Sequence, residues 1–310
     1  MTAPPDPHAQ TLPQPQARPL LAAAWMTGAI ASFSAMAVAG RAVSLDHDTF
    51  EIMLFRSLMG VAIMVSLGMA FGLLPQITRR NMGLHTVRNL CHFAGQNLWF
   101  FALPLIPLAT LFALEFTSPI WATLLAPLVL GERLTRVRLI AAAVGFAGVL
   151  IVARPNPAAL EIGALAAAGA ALAFAASALF TRKLTRTETT FCILFWLTVM
   201  QSVFGLICAG IDGDIALPTA ASLPWLALIA LAGLCAHFCL TTALGLAPAG
   251  VVMPMDFARL PVIAVIGMAF YGEPLQWVVA VGAVVILFAN WLNIRRGKPA
   301  SPKCGDSASS

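Results

Sequence analysis

The chain has 310 residues, of which 60% are hydrophobic and only 10% are charged, and its mean hydropathy is +0.88. A soluble domain is about 45–50% apolar and about 25% charged, so this composition argues against a soluble enzyme, a nucleic-acid-binding protein and a disordered scaffold. The net charge is +5, but the basic residues stand at the ends of apolar runs, where lipid headgroups rather than nucleic acid are expected. The sequence therefore predicts a protein embedded in a lipid bilayer.

Ten apolar runs follow one another along the chain, each long enough, at roughly 20 residues, to cross about 30 Å of hydrocarbon. We predict transmembrane helices over 20–43, 50–74, 84–106, 108–130, 137–153, 162–181, 190–210, 222–245, 249–271 and 276–294. Nine or eleven spans remain alternatives, because the connections at 106/108 and 245/249 are very short. Residues 1–19 form a tail that is expected to be disordered and does not look like a cleaved signal peptide, and residues 295–310 form a second polar tail.

The distribution of basic residues predicts the orientation of the chain. With the N-terminus inside the cell, fourteen of the 18 basic residues fall on inner segments, whereas only Arg41 and Arg154 fall on the outer side. We therefore expect a multi-pass protein of the bacterial inner membrane with both termini in the cytoplasm.

The two halves of the sequence match when one is shifted by 141 residues without a gap. The matched pairs include Gly28 with Gly169, Phe33 with Phe174, Arg41 with Arg182, Pro107 with Pro248, and Gly131-Glu132 with Gly272-Glu273. Each unit, 20–153 and 162–294, holds five predicted spans, and an odd number of spans places the two copies in the bilayer with opposite topology. Such inverted repeats are common in secondary transporters, where the binding site lies near the midplane. The expected fold is an all-α membrane protein with ten transmembrane helices in an inverted five-plus-five repeat.

Both halves carry the same series of short motifs. The first half has Ala102-Leu103-Pro104-Leu105-Ile106-Pro107-Leu108-Ala109, then Ser118-Pro119 and Leu130-Gly131-Glu132-Arg133. The second half has Ala243-Leu244-Gly245-Leu246-Ala247-Pro248-Ala249, then Pro254 to Leu260 and Tyr271-Gly272-Glu273-Pro274-Leu275. Over residues 20–294 this pattern resembles the EamA-type transporters of the drug/metabolite transporter superfamily. The resemblance implies a ten-helix bundle that moves small metabolites by alternating access without ATP hydrolysis, and it says almost nothing about the substrate.

Four charged residues lie inside the predicted spans, where each costs on the order of 2.5–3.5 kcal/mol at a helix centre. They are Arg56, Glu115, Asp256 and Arg259, and Glu115 and Asp256 are counterparts under the 141-residue shift. As a functional pair the two acids would face a central cavity and bind a cationic or amino-bearing substrate or carry a coupling proton. Alternatively each acid is neutralised by a local partner, since Asp256 and Arg259 are three residues apart and can pair along one helix face.

Arg56 and the two Gly-Glu motifs carry further charges. Arg56 lies near the outer end of its span, where it either holds a substrate carboxylate or snorkels towards the acids of residues 46–51. Glu132 and Glu273 end their helices, and we expect them to pair with nearby basic groups or with backbone rather than with substrate.

The third span carries a line of polar and aromatic residues, Asn89, His92, Gln96 and Trp99, whose spacing of three, four and three places them on one helix face. His237 is the counterpart of Gln96 in the second half. In lipid such a face points into the bundle, so it either lines a wet cavity or hydrogen-bonds neighbouring helices. The candidate substrate-binding residues are therefore Arg56, His92, Gln96, Trp99, Glu115, His237, Asp256 and Arg259.

No motif predicts a metal site, a cofactor or catalytic chemistry. The six cysteines lie mostly in apolar segments, and Cys235 and Cys239, four residues apart, do not make a ligand set by themselves. The sequence has no GxxxxGK[ST] motif, which argues against ATP-driven pumping. An intramembrane or lipid-handling enzyme remains an alternative of another class, whereas the Leu- and Ala-rich spans offer no continuous polar file for a channel.

The leading hypothesis is a secondary transporter whose cargo is a small polar metabolite, either an amino acid, an amino-acid-derived zwitterion or a metallophore-like opine. The acids, Arg56 and the histidines suit a substrate with charges of both signs. By analogy with the resembled family, export is preferred over import, and coupling to protons is a further expectation. The alternative is uptake of a vitamin or nucleoside-like cofactor such as riboflavin or S-adenosylmethionine, on whose flat ring Trp99, Trp121 and Phe257 can stack.

Overall fold

A computed structural model describes residues 18–131, 136–153, 161–211, 213–246, 255–256, 258–274 and 276–296. Within these residues the chain is helical and contains no strand, which confirms an all-α protein. Residues 1–17 and 297–310 of the two predicted tails, together with Glu132 and Phe257, lie outside the described residues.

The described helices follow one another in the same order in both repeats. The first repeat forms α1 (Pro19–Val43), α2 (Thr49–Ala70), α3 (Met82–Ala102), α4 (Leu108–Glu115), α5 (Ser118–Leu130) and α6 (Arg136–Ala153). The second repeat forms α7 (Ile162–Leu184), α8 (Thr190–Ala209), α9 (Leu223–Leu246), α10 (Arg259–Tyr271) and α11 (Trp277–Arg296). The predicted span 108–130 is therefore divided into two helices, α4 and α5.

Equivalent residues of the two repeats begin and end the helices. A capping box begins α2, in which the Asp48 side chain accepts from the Glu51 amide and the Glu51 side chain accepts from the Asp48 amide. At the matching position before α8, the Thr189 side chain caps the helix. Helices α5 and α10 end at Gly131 and Gly272, whose φ angles of 70° and 63° lie in the left-handed region that glycine adopts without steric cost. The repeat is thus present in local structure as well as in sequence.

Six segments of the described chain are long and apolar enough to cross a membrane. They are Leu20–Val43, Thr49–Ala70, Leu108–Leu130, Ile162–Leu184, Thr190–Ala209 and Leu223–Leu240. Helix α3 is not among them, and its buried residues include the polar Arg88, Asn89 and Gln96. The apolar helical segments Leu139–Ile151, Arg259–Tyr271 and Trp277–Ala289 are shorter. The architecture is therefore helical and multi-pass, and the count of ten spans stays a prediction.

The helices pack in pairs that follow the repeat. Helix α1 packs mainly against α9 and α3 against α7, and these contacts are copies of each other, because the 141-residue shift turns α1 into α7 and α3 into α9. Helices α2 and α6 pack against their own counterparts, α8 and α11. A Cβ added to Gly205 would lie 2.9 Å from the Leu54 Cα atom, so the backbones of α2 and α8 touch. A two-fold related repeat produces this pairing.

Helix α4 lies in the interior of the bundle. Leu108, Leu111, Phe112 and Leu114 have no exposed surface, because α4 contacts α6, α7, α10 and α11. Glu115 is the last residue of this helix, so the fold carries a carboxylate into the interior.

Candidate functional site

Both predicted acids stand where a helix is interrupted. Glu115 ends α4, and a two-residue turn separates it from α5. The turn is held locally, since the Thr117 hydroxyl donates to the Leu114 carbonyl at 2.7 Å. In the second repeat Asp256 comes shortly before α10, which begins at Arg259. Interrupted helices at membrane depth are tolerated where they are buried in protein or line a cavity, so these positions are suited to a binding site.

Arg259 joins the two acids. Its Nη2 donates to Glu115 Oε1 at 3.1 Å and to Asp256 Oδ2 at 3.0 Å, and its side chain is only 4% exposed. The Trp99 indole N–H donates to Glu115 Oε2 at 2.8 Å. The pairing of Asp256 with Arg259 that the sequence spacing allows is thus present, and Glu115 reaches the same guanidinium from the first repeat. The two repeats share one counter-ion.

Three phenylalanine rings surround this guanidinium. Arg259 Cζ lies 4.6 Å from the ring centre of Phe33 and 5.0 Å from those of Phe112 and Phe116. Cations are attracted to aromatic faces at such distances, and more strongly where water is excluded. The sequence did not single out these rings as site residues, although the match of Phe33 with Phe174 in the repeat is a signal that could have indicated Phe33.

A small cavity lined by both polar and apolar residues lies between α2, α8 and α9, and the space in it that is open to a water molecule is about 20 Å³. Its polar wall is made of Arg56, Ser57, Thr198, Gln201 and His237. No carboxylate of the described residues belongs to this wall. Arg56 Nη1 donates to Gln96 Oε1 at 2.6 Å, so Arg56 is directed into the bundle. The interpretation that Arg56 snorkels towards the acids of residues 46–51 therefore does not hold.

The two histidines connect the cavity with α3. The ring centres of His92 and His237 are 5.9 Å apart. Phe174 lies 5.8 Å from His92, and its counterpart Phe33 lies 5.8 Å from His237. Because Phe33 also contacts Arg259, one ring touches both the cavity wall and the ion pairs. The eight candidate residues therefore form two adjacent groups, one around the cavity and one around the shared guanidinium.

Several buried polar atoms of these two groups have no hydrogen-bond partner within the part of the chain that the structure describes. They are His92 Nε2, Gln201 Nε2, Asp256 Oδ1 and Arg259 Nε. Buried polar groups in folded proteins are nearly always paired, so these atoms are ready to bind a polar ligand or water that enters the bundle.

The remaining polar residues predicted from the sequence have partners within the fold. Asn89 donates to the Trp196 carbonyl at 3.2 Å. Glu273 pairs with Arg41 and accepts from the Leu108 amide at 2.9 Å, as expected for a structural Gly-Glu motif. Glu132, its counterpart, lies outside the described residues.

A larger cleft of about 240 Å³ lies between α5 and α6. Its walls are apolar apart from Thr117 and Trp121, and the Trp121 indole N–H donates to the Thr117 hydroxyl at 3.2 Å. This cleft therefore offers little to a polar substrate, and Trp121 lines it rather than the cavity that contains Arg56 and His237. Phe257, the other ring proposed for stacking with Trp99 and Trp121, lies outside the described residues.

Buried polar clusters also stand at equivalent turns of the two repeats. Before α2, His47 Nδ1 lies 3.2 Å from Glu51 Oε2, and His47 Nε2 lies 3.0 Å from Ser222 Oγ. Glu188 is the counterpart of His47, and it accepts from Asn81, the counterpart of Ser222, at 2.7 Å. Equivalent turns are therefore held together in both repeats, by the contact of His47 with Ser222 in one and by the hydrogen bond from Asn81 to Glu188 in the other.

Glu188 is held as a carboxylate. Burial alone would raise the pKa of Glu188, but hydrogen bonds from Thr78, Asn81 and Cys192 outweigh burial and hold this pKa below its usual value. The closest of these donors is the Thr78 hydroxyl, at 2.5 Å. The side chain is therefore ionised at neutral pH.

The chain matches a known protein family twice, once in each repeat. Residues 20–154 and residues 161–295 each match EamA, the EamA-like transporter family. The chain belongs to this family. EamA-like proteins are membrane transporters of the drug/metabolite transporter superfamily, so the resemblance seen in the motifs is confirmed. The family assignment also favours a transporter over an intramembrane enzyme.

The EamA-like chain is similar to named transporters over most of its length. It is 33% identical to a riboflavin transporter of Rhizobium johnstonii, over 68% of this chain and 70% of that protein. It is 26% identical to a riboflavin transporter of Vibrio cholerae, over 87% and 92%, and 24% identical to an S-adenosylmethionine uptake transporter of Rickettsia bellii, over 90% and 95%. A solved crystal structure with 20% identity covers 90% of this chain and 99% of its own with a TM-score of 0.59, so it shares the fold.

Proposed function

We propose that this EamA-like protein takes up riboflavin, or an analogue with the same flat uncharged ring system, across the bacterial inner membrane. The observation that carries the proposal is the cavity between α2, α8 and α9, whose wall, among the described residues, has the cationic Arg56 and no carboxylate. A flavin ring offers carbonyl oxygens and ring nitrogens as acceptors and is uncharged near neutral pH. The guanidinium of Arg56 and the unpartnered amide of Gln201 are matching donors. The names of the relatives in R. johnstonii and V. cholerae support the same substrate.

The same cavity argues against the amino-acid export hypothesis. A zwitterion needs an acid for its ammonium group as well as a cation for its carboxylate. The cavity wall offers only the cation, because Glu115 and Asp256 are directed to Arg259. Uptake of a vitamin or nucleoside-like cofactor is therefore the better supported hypothesis, and the names of the relatives agree with it.

S-adenosylmethionine is the second candidate, because the ion-pair group carries surplus negative charge. Glu115 and Asp256 both pair with Arg259, and Asp256 Oδ1 has no hydrogen-bond partner among the described residues. A sulfonium or ammonium group could be neutralised there. The relative in R. bellii is named for this substrate.

Transport requires the cavity to expand. A space of about 20 Å³ holds a single water molecule, whereas pockets for metabolites measure about 300–1,000 Å³. Helix α2 must therefore part from α8 and α9 to admit the substrate. Gly60 and Gly205 allow close and reversible contact at this interface, which suits rocking of one repeat against the other in alternating access.

The proposed topology has both termini in the cytoplasm and the two repeats inverted, as the basic residues indicate. Reporter proteins fused at Glu132 and Glu273 should then report opposite faces of the membrane. The same face at both positions would contradict the inverted repeat.

Glu115 and Asp256 are the proposed carriers of a coupling proton. An uptake rate that does not change with an imposed pH gradient would therefore contradict proton coupling.

Uptake into liposomes tests the substrate. The purified protein should show saturable uptake of labelled riboflavin, which unlabelled riboflavin inhibits and amino acids do not. Arg56→Gln removes a hydrogen bond from a charged donor, worth about 1.5–3 kcal/mol, so uptake efficiency should fall at least tenfold. Arg186→Gln changes an exposed arginine outside the cavity and should leave uptake unchanged.

The outcomes separate the two candidates. Unchanged riboflavin uptake in Arg56→Gln would refute a binding role for the cavity. Uptake of S-adenosylmethionine without riboflavin uptake, abolished by Glu115→Gln or Asp256→Asn, would establish the second candidate instead.

A further inference from the structure

Three metal-binding side chains meet in a buried cluster away from the transport cavity. His85 lies in the first turn of α3, Glu188 lies in the turn between α7 and α8, and Cys192 lies in the first turn of α8. One ligand atom from each residue lies within 4.8 Å of the other two. Their relative exposures are 1% for His85, 8% for Glu188 and 0% for Cys192. The cluster is therefore formed inside the protein and is not a chance grouping of surface charges.

The ring of His85 lies 6.5 Å from that of Trp196, but His85 has no hydrogen-bond partner among the residues that the structure describes. Neither Nδ1 nor Nε2 makes a hydrogen bond, although both atoms are buried. The equivalent position of the second repeat holds Leu226, which is fully buried. Packing at this position therefore suits an apolar side chain, and a buried imidazole with two unpaired nitrogens is unfavourable unless it has something to bind. A metal ion between His85, Glu188 and Cys192 would account for it.

We propose that His85, Glu188 and Cys192 bind a zinc ion. A nitrogen, an oxygen and a thiolate sulfur are the ligand types of protein zinc sites, and the soft thiolate disfavours Mg²⁺ and Ca²⁺. One carboxylate and one thiolate together balance the charge of Zn²⁺. Three protein ligands would leave one position of a tetrahedral site for another ligand, and the Thr78 hydroxyl lies 3.9 Å from Cys192 Sγ.

Neighbouring groups already orient the proposed ligands. Asn81 Nδ2 donates to Glu188 Oε1 at 2.7 Å. The other oxygen, Oε2, accepts from the Thr78 hydroxyl and lies 3.6 Å from the sulfur of Cys192. The Trp196 indole N–H donates to the Thr78 carbonyl at 2.8 Å and fixes the backbone that borders the site. Outer groups of this kind hold metal ligands in place and contribute to affinity.

A bound ion would link the two repeats. His85 belongs to the first repeat, whereas Glu188 and Cys192 belong to the second. Zinc would therefore cross-link the first turn of α3 to the first turn of α8. This inference does not depend on which substrate the protein transports.

Zinc binding to the purified full-length protein in detergent tests the site. The affinity tag is removed, metal is stripped with a chelator, and Zn²⁺ is titrated in competition with a chromophoric chelator. The wild type should bind one zinc ion per chain with micromolar or tighter affinity and melt at a higher temperature with zinc. Co²⁺ in place of Zn²⁺ should give a thiolate-to-cobalt charge-transfer band, because Cys192 is a ligand.

The variants and their control are matched to the structure. Loss of a ligand should weaken zinc binding at least about 100-fold, since loss of outer groups alone weakens it about 10–100-fold. His85→Leu installs the residue of the equivalent position, so the metal-free variant should melt at or above the wild-type temperature and show no shift with zinc. Cys192→Ser and Glu188→Gln should lose binding. Cys208→Ser, on the same helix about 24 Å away along its axis, should bind like the wild type.

Either of two results would overturn the proposal. The first is a wild-type protein that shows no saturable zinc binding, or that binds Co²⁺ without a thiolate band. The second is zinc affinity that stays unchanged in His85→Leu. Because His85→Leu is expected to fold even if Cys192→Ser does not, the test does not depend on the cysteine variant.

Discussion

Replacing Arg259 by methionine tests whether one guanidinium neutralises both interior acids. The change removes the cation and keeps most of the apolar stem that lies among the phenylalanine rings. Glu115 and Asp256 then remain without a counter-ion among the contacts seen in the structure. Both acids also lose a hydrogen bond to the same Nη2 atom.

The size of the effect follows from the geometry. Since one nitrogen contacts both carboxylates, the two acceptor oxygens are at most about 6 Å apart and repel by about 3 kcal/mol at an effective dielectric constant of about 20. Removing one partner of a buried ion pair costs about 3–5 kcal/mol. Glu115 and Asp256 keep 18% and 13% of their side-chain surface, and water screens part of the repulsion, so we expect the free energy of unfolding to fall by about 3 kcal/mol. Glu115→Gln should cost about 1–2 kcal/mol, because Arg259 keeps Asp256 and the amide still accepts a hydrogen bond.

The melting temperature of the protein in detergent, read from the fraction that stays monodisperse after heating, ranks the variants. Arg259→Met should melt lowest, and adding Glu115→Gln to Arg259→Met should recover part of the loss, since it removes one of the two repelling charges. Arg186→Met, an exposed arginine, is the control and should melt like the wild type. If Arg259→Met melts no lower than Glu115→Gln, or if the double variant melts lower than Arg259→Met, the shared counter-ion is refuted.

Two further changes test the contacts around these groups by the same melting assay. Gly205→Ala places a Cβ against the Leu54 backbone and should lower the free energy of unfolding by about 1–3 kcal/mol by overpacking. In the control Gly83→Ala the added Cβ meets no atom within 4 Å, so stability should not fall. Equal melting temperatures for the two variants would mean that α2 and α8 are not in backbone contact. Trp99→Phe removes the indole donor to Glu115 and should cost about 1.5–3 kcal/mol, as expected for a hydrogen bond to a charged group. A Trp99→Phe variant as stable as the wild type would show that this bond does not hold the acid.

Because the two halves of the chain are repeats, the two interior acids could be identified from the sequence. Glu115 and Asp256 stand out because each is costly in lipid and because the shift of 141 residues relates them. The spacing of three residues likewise indicated the pair of Asp256 with Arg259. The link from Arg259 to Glu115 could not be predicted, because it depends on how closely α4 packs against α10.

Other features depend on contacts between distant parts of the chain. The sequence left open whether Arg56 points into the bundle or towards the acids of residues 46–51. Its hydrogen bond to Gln96, which lies on a different helix, directs it into the bundle. The grouping of His85 with Cys192 was not predicted, since the two residues are more than a hundred positions apart and neither belongs to a short ligand motif. A break between α4 and α5 also escaped prediction, because the apolar run 108–130 continues through it.

The pairing of α2 with its own copy α8 bears on the energies of the two end states of a carrier. Interchanging the repeats leaves this contact unchanged, and in an inverted repeat the same interchange converts an inward-open state into an outward-open one. A fully duplicated chain would therefore occupy both states equally, and only the unmatched positions favour one of them. Arg259 has Ser118 as its counterpart and His85 has Leu226. Each difference of about 1.4 kcal/mol changes the ratio of the two states tenfold, so in the proposed inverted repeat we expect unmatched residues of this kind to decide which state the empty protein favours.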